Sequence, residues 1–313
     1  MNGAPQAGPT VGALLHAAVE RLHASRSESA RLDAELLLGN VLGVDRTVLI
    51  AHSEARVGTG QAAAFETVLV RREAGEPVAY IRGVKEFHGL AFTVDARALI
   101  PRPETELLVD LVVDRVREVL TSAPRRPGAE PFRAWDVGTG SGAIAVAAVV
   151  ALQARGYGPG VVRMLASDLS AEALSLAIEN AVGHGVADRI DFARGDLLDV
   201  EPDPPASVDL VVANLPYVPR DELPNLPVAA SFEPQTALDG GPDGLEVIRR
   251  LIAQLPRVLA PTGVAFLEIG SDQEGTAVAA AVATLPRWTA SVVPDLGGHP
   301  RALRLEAPAA VPA

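Results

Sequence analysis

The stretch Asp136-Val137-Gly138-Thr139-Gly140-Ser141-Gly142-Ala143-Ile144 decides how the chain is read. An apolar strand at 133–137 runs into three closely spaced glycines and then into a helical pattern that begins at Gly142. Glycines at such a place let the backbone turn tightly and let a ligand approach it closely. The helix start behind them offers unpaired N–H groups to an electron-rich ligand group. With Ala143 in the last slot, the run also satisfies the loose G-x-G-x-x-G/A dinucleotide pattern. Standing alone the match is weak, and a mere tight strand-to-helix turn is the lesser alternative. Outward from this loop the pattern alternates. Strands are expected at 133–137, 161–167, 189–193, 209–213 and 264–269, helices at 142–154, 171–182, 244–259 and 273–284, and two late strands at 289–293 and 302–306. Strand–helix alternation with nearly continuous apolar strands predicts an α/β fold, Rossmann-like, with a mostly parallel seven-stranded sheet covered on both faces. In such a sheet, ligands bind beyond the carboxyl ends of the strands, at the point where the strand order reverses.

The strand ends are where chemistry is expected. The second strand closes on Asp168, an acid placed to accept hydrogen bonds from ribose hydroxyls; its structural alternative, capping the next helix, suits Ser170 better. The third leads to Asp196 and Leu197, where the acid can accept from an adenine amino group. These acids fit a nucleoside lying across the sheet without separating NAD from S-adenosylmethionine. The fourth strand runs directly into Asn214-Leu215-Pro216-Tyr217. An amino group conjugated to a carbonyl or an aromatic ring is a poor nucleophile. Two acceptors on its two N–H bonds, the Asn214 side-chain oxygen and the backbone carbonyl of Leu215, can hold it and aim its nitrogen at an electrophilic methyl. Tyr217 can pack on the flat face of the amide or base. Alignment, with acceptors for charge developing on nitrogen, suffices for methyl transfer.

Ahead of the sheet, residues 8–83 read as a helical bundle, with apolar residues at helical spacing in Val11, Leu14, Leu15, Ala18, Val19 and Leu22, in Leu32, Leu36, Leu37 and Val41, and in Phe65, Val68 and Leu69. Ser29 and Asp33 flank the start of the second helix, and Gly39 and Gly43 punctuate its end. Residues 84–103 read as a β-hairpin turning at Gly89, followed by a proline-stiffened linker, Ile100-Pro101-Arg102-Pro103. Glu104 and Glu106 then open a helix to about residue 120, where acids suit the helix dipole. Residues 104–307 complete the sheet domain, interrupted by a loose segment at 121–131 and a proline-rich loop at 201–205.

Composition narrows the function. The chain has 313 residues, 48% hydrophobic and 21% charged, enough apolar content for two cored domains and too much for wholesale disorder. Its longest apolar run, 143–152, is far short of the ~20 residues a membrane span needs. The first residues have no basic start and no apolar core, so no secretory signal is expected and the location expected is cytoplasmic. With no cysteine, disulfides, a thiolate nucleophile and a zinc ribbon are excluded. Lys85 is the sole lysine, and the six histidines (16, 23, 52, 88, 184 and 299) show no metal-ligand spacing. A net charge of -12 speaks against affinity gained by coating phosphates with basic side chains.

Taken together, these motifs resemble class I S-adenosylmethionine-dependent methyltransferases with an N-P-P-Y motif. The whole chain resembles the HemK/PrmC family, which methylates a glutamine side-chain amide in peptide chain release factors. Beyond the glycine loop and Asn214-Leu215-Pro216-Tyr217, the likeness is carried by Ala30-Arg31-Leu32-Asp33-Ala34-Glu35-Leu36-Leu37-Leu38, Gly75-Glu76-Pro77-Val78-Ala79-Tyr80 and Ile100-Pro101-Arg102-Pro103-Glu104-Thr105-Glu106. Phe232-Glu233-Pro234 and Ala237-Leu238-Asp239-Gly240-Gly241-Pro242-Asp243-Gly244-Leu245 follow as they do in the family. The resemblance implies S-adenosylmethionine as cofactor, S-adenosylhomocysteine as product and no metal. It implies cofactor binding by Gly138, Thr139, Gly140, Ser141, Gly142, Asp168, Asp196, Leu197 and Asn214, and catalysis and substrate binding by Asn214, Leu215, Pro216 and Tyr217. The implied partners are class I release factors, with no membrane and no direct nucleic-acid contact, and the helices at 8–83 become a substrate-recognition domain. Leucine at 215 departs from the family's usual proline, but a backbone carbonyl there is supplied by either residue. Two alternatives remain: an amino methyltransferase of the N6-adenine type acting on nucleic acid, and a non-enzymatic or NAD-binding module, which leaves residues 214–217 without a task.

Overall fold

The computed structural model describes residues 8–123, 129–201 and 207–309. The centre of the expected loose segment and nearly all of the expected proline-rich loop lie outside the described residues. The chain forms two compact units. One holds the residues up to Val84 together with Pro227–Phe232; the other holds Lys85–Leu226 and the residues from Glu233 onward.

The first unit is helical: α1 (Val11–Ala24), α2 (Ala30–Leu42), α3 (Arg46–Ala51), α4 (Thr59–Glu73) and α5 (Val78–Arg82). Thr10 and Asp45 start α1 and α3 by accepting a first-turn N–H on their side chains. Helices α3 and α5 are too short for a helical repeat to show in sequence. Leu22, Leu37, Leu38, Leu49, Phe65 and Leu69 share one apolar core. Gly39 does not end α2: it lies inside the helix, where a side chain would stand 2.7 Å from the Val44 carbonyl. Gly43, in the left-handed region, ends it. Two acids on α2 are buried and paired. Asp33 accepts from the Ser27 and Ser29 hydroxyls and from Arg72 Nε at 2.7, 2.8 and 2.8 Å, and Glu35 accepts from Arg31 and Arg46. Segment 227–232 belongs to this unit through contacts such as Val228 against Gly75, whose missing side chain would stand 2.5 Å from Val228 Cγ1.

The second unit opens with the hairpin β1 (Val84–Phe87) and β2 (Leu90–Thr93). Then follow α6 (Glu106–Ser122), β3 (Phe132–Val137), α7 (Ala143–Ala154), β4 (Val162–Asp168), α8 (Ala171–Gly183), β5 (Ile190–Asp196), β6 (Asp199–Glu201), β7 (Val208–Ala213), α9 (Glu246–Gln254), β8 (Leu259–Glu268), α10 (Glu274–Thr284), β9 (Thr289–Pro294) and β10 (Pro300–Glu306). The sheet order is β6-β5-β4-β3-β7-β8-β10-β9. The five central strands are parallel, and β6, β9 and β10 are antiparallel to their neighbours. The sheet therefore has eight strands, not the expected seven. The extra strand, β6, is three residues long and returns against β5 after a tight turn at Leu197 and Leu198, too short for an alternating pattern to reveal. The order reverses between β3 and its two neighbours, β4 and β7, so the ligand position lies at their carboxyl ends. The hairpin is packed rather than free. Phe87 and Phe92 are buried, and Asn180 on α8 both accepts from Thr93 N and donates to Thr93 O. Among the described residues no helix is long and apolar enough to cross a membrane.

Removing one partner of a buried ion pair leaves the other uncompensated. Asp33→Ala is accordingly expected to lower unfolding stability by about 3 kcal/mol, read as a shifted urea midpoint with circular dichroism. An unchanged midpoint would mean that Arg72 regains a partner without Asp33.

Candidate active site

Strand β3 ends at Val137, and the chain then turns on Gly138, Gly140 and Gly142, all at positive φ. The N–H groups of Gly138 and Thr139 donate to the Ser167 carbonyl at 2.8 and 2.9 Å, tying the loop to the end of β4. Asp136, fully buried, braces it from below: Oδ2 accepts from the Thr139 hydroxyl at 2.7 Å and from Ala145 N at 3.2 Å. Burial pushes the Asp136 carboxyl up to about 7, with the Thr139 and Ala145 hydrogen bonds opposing and the nearby Asp168 charge adding to the rise. Asp168 closes β4 and is raised chiefly by burial; its two oxygens accept from Gly140 N and Ser170 N, each at 2.9 Å. Ser170, as expected, is the residue that caps α8.

A cleft of about 840 Å³ opens above this loop, lined by Gly138, Gly140, Asp168, Asp196, Leu197, Asn214, Leu215 and Pro216 among others. Eight of the twelve residues expected to bind cofactor or substrate thus converge on one concavity. Thr139, Ser141 and Gly142 do not line it. They are buried and build the loop: Thr139 through Asp136, Ser141 through its carbonyl accepting from Asn180, and Gly142 through contact with Ala177 at 3.0 Å from where a Cβ would stand. Asp196 is exposed and its carboxylate is bound to Arg250 at 2.5 Å. Leu197 is buried and held at φ 58, a conformation an L side chain adopts at a steric cost of about 1–2 kcal/mol.

Strand β7 delivers Asn214. Its Nδ2 donates to Thr105 Oγ1 at 2.9 Å, so Oδ1 is the end of the amide left to accept. Leu215 is buried, and its Cδ2 lies 2.9 Å from where a Gly138 side chain would begin, so it packs directly over the glycine loop. Tyr217 lies apart from the other residues of its motif. Rather than lining the cleft, its half-buried ring packs against the sheet's core cluster and its hydroxyl donates to Glu268 Oε1 over 3.4 Å. Burial, then the Glu268 charge, pushes the Tyr217 hydroxyl up to about 12. The Tyr217 carbonyl accepts from Gln273 Nε2 at 2.9 Å. Gly240 and Gly244 pass so near the Tyr217 backbone that a Cβ on either would stand within 2.8 and 2.3 Å of it.

Residues 100–106, expected as a linker and helix start, prove to be part of the site's frame. Glu233, buried, accepts from Ile100 N at 3.1 Å and from Arg102 at 2.6 Å, and Thr105 holds Asn214. Sequence reasoning assigned no role to Thr105, Glu233 or Glu268, although the first two stood inside quoted motifs.

Residues 13–83 match the family described as PrmC N-terminal domain, and residues 134–229 match a methyltransferase domain family. The release factor glutamine methyltransferase of Moorella thermoacetica is 39% identical to this chain over 93% of it and 96% of the relative. That of Bradyrhizobium diazoefficiens is 38% identical over 96% and 95%, and that of Deinococcus radiodurans 36% over 93% and 96%. The chain belongs to the release factor glutamine methyltransferase family. It is a methyltransferase, and its cleft suits the S-adenosylmethionine such enzymes use. The volume lies in the roughly 300–1,000 Å³ range of small-molecule sites. Gly138 and Gly140 expose bare backbone to the cleft, Asp168 adds acceptor oxygens, and Leu197 adds an apolar wall.

Asp136 makes a testable contribution to this methyltransferase. Its pKa is raised from 3.8 to about 7, so the folded protein binds that proton more tightly than the unfolded chain, and this group's contribution makes stability fall as pH rises between those values. Asp136→Asn is expected to remove that slope, at most about 4 kcal/mol between pH 4 and 7. Urea unfolding of both proteins across this interval checks it. Parallel pH dependences would show that Asp136 ionises normally.

Proposed function

We propose that this chain transfers the methyl group of S-adenosylmethionine to the side-chain amide nitrogen, N5, of the glutamine in the Gly-Gly-Gln-type loop of class I peptide chain release factors, and so modulates translation termination in the cytoplasm. The observation that carries this is the Asn214 amide. With its NH2 committed to Thr105, it has an acceptor oxygen to offer beside the Leu215 carbonyl, at the edge of the glycine-loop cleft.

An amide nitrogen gives its lone pair to its own carbonyl and is a weak nucleophile. Acceptors on both N–H bonds counter this twice. They orient the nitrogen within attacking distance, and they stabilise positive charge as the new bond forms. Asn214 Oδ1 and the Leu215 carbonyl are those acceptors, Pro216 holds Leu215 extended, and Tyr217 steadies the turn from behind. Gly138 and Gly140, Asp168 toward the ribose, and Asp196 and Leu197 toward the adenine hold the cofactor, with Thr139, Ser141 and Gly142 keeping the loop's shape. Bound there, S-adenosylmethionine would supply an activated methyl group on its sulfonium, with S-adenosylhomocysteine as the leaving group, chemistry that requires no metal. The nitrogen would release one proton to solvent as it gains the methyl.

The helical unit, residues 8–83, carries no cofactor motif, and we assign it to gripping the body of the release factor. Remote binding energy then improves alignment at the amide. The wild-type enzyme should accordingly methylate an intact release factor with a kcat/KM roughly tenfold or more above that for a short glutamine-loop peptide. Equal efficiencies would leave the helices a merely structural role. The net charge of -12 gives nucleic acid no comparable hold.

Incubation with labelled S-adenosylmethionine and either release factor or nucleic acid is expected to label the release factor alone, with the added methyl located on one glutamine by peptide mass. Label on nucleic acid would overturn the proposal. Asp168→Ala should weaken S-adenosylmethionine binding about tenfold or more, the loss of at least one charge-assisted hydrogen bond of ~1.5–3 kcal/mol; unchanged affinity by calorimetry would displace the ribose from this acid. Asn214→Ala should abolish most turnover while the cofactor still binds, and a near-wild-type kcat would refute the two-acceptor mechanism.

A further inference from the structure

Glu268 ends β8 with its side chain buried, and no step described above uses it. Tyr217 donates to its Oε1 over 3.4 Å. Oε2 has no hydrogen-bond partner among the described residues, and the Thr105 hydroxyl stands near enough to favour the carboxylate form. Thr105 closes a short 3-10 turn, Pro103–Thr105, that runs directly into α6, and its backbone is already helical. Its hydroxyl oxygen caps no helix and accepts from Asn214 Nδ2 at 2.9 Å. A buried acid with one oxygen unpartnered, a threonine hydroxyl near it and the active-site amide thus stand in series.

We infer that Glu268 is a positioning residue: its carboxylate draws the Thr105 proton to itself, and so turns the Thr105 oxygen toward the Asn214 NH2 and the Asn214 carbonyl oxygen toward the substrate. This rests on a glutamine amide being the nucleophile. A carboxylate can only accept, and a threonine hydroxyl has one proton to give. Once that proton goes to Glu268, Thr105 can only accept from Asn214, which commits the NH2 and frees Oδ1. With Glu268 protonated, its own O–H can donate to Thr105, and the Thr105 proton can pass to Asn214 Oδ1. The Asn214 amide then turns over and meets the substrate NH2 donor against donor.

Burial pushes the Glu268 carboxyl up to about 7, opposed by the Thr105 and Tyr217 hydroxyls and the Arg301 charge and reinforced by Glu104. Arg301, on β10, is itself bound to Asp295, and Arg102, which acts on Tyr217, is bound to Glu233. The hydrogen-bond series therefore reverses direction within the neutral range, productive above it and misdirected below.

The test follows kcat of the full-length enzyme on a release factor, at saturating S-adenosylmethionine, from about pH 5.5 to 9. The wild type is expected to lose kcat as pH falls through about 7. Glu268→Gln, neutral throughout, should lack that acid limb and show a plateau kcat roughly tenfold or more lower, with S-adenosylmethionine affinity by calorimetry unchanged. Thr105→Val, which cannot pass the proton on, should share this profile, and Thr105→Ser should restore both rate and limb. Titration of Asp136, which braces the cofactor loop, would instead appear in kcat/KM for S-adenosylmethionine. A flat wild-type profile, an acid limb that survives Glu268→Gln, or a Thr105→Val enzyme indistinguishable from wild type would overturn the inference. A wild-type enzyme that methylates no glutamine would overturn the proposed substrate instead.

Discussion

The 2.9 Å hydrogen bond from the Asn214 amide to the Thr105 hydroxyl decides which end of a symmetric-looking side chain meets the substrate. Carbonyl and amino ends of an asparagine have nearly the same shape and opposite hydrogen-bonding sense. Steric packing therefore cannot choose between them; only a partner of known polarity can. Much of the surrounding frame serves to hold that partner in place. Residues 100–105 are fastened at one end by Glu233, which takes both the Ile100 N–H and the Arg102 guanidinium. Glu268 and Tyr217 close the arrangement from the sheet side.

The glycine loop follows a similar economy. Its outer face is left bare for a ligand, and its inner face is satisfied by buried groups: Asp136 beneath Thr139, Asn180 beneath Ser141, and the Ser167 carbonyl beneath Gly138 and Thr139. An ionisable group in a fully buried position is expensive. Asp136 keeps it because one carboxylate oxygen satisfies two otherwise orphaned donors at the turn from strand to helix.

Local pattern made the core of this legible in sequence. Glycine spacing, apolar strands with polar tips, and Asn214-Leu215-Pro216-Tyr217 are all short-range signals, and the cleft gathers most of the residues they mark. What stayed hidden depends on pairing between distant positions. Thr105 and Asn214 are 109 residues apart, and Arg102 and Glu233 are 131 apart, so a proline-rich stretch that reads as a linker becomes part of the site's frame only in three dimensions. Glu268 read as the end of an apolar strand because its neighbours are Phe266, Leu267 and Ile269. Strand β6 and helices α3 and α5 were missed for a different reason: three to six residues cannot display a period.

The six residues 227–232 bear on how far the chain is modular. They sit in the interval between the Asn214 loop and Glu233, yet they complete the helical unit, where Val228 and Phe232 cover Gly75. The polypeptide therefore passes between the units three times, at 84–85, 226–227 and 232–233. A helical unit excised at its first boundary would lose part of its own packing, because Val228 and Phe232 would be left out of it. A cut at residue 84 alone therefore does not follow the boundary of a folded unit, since six residues of the helical unit are encoded far downstream of it.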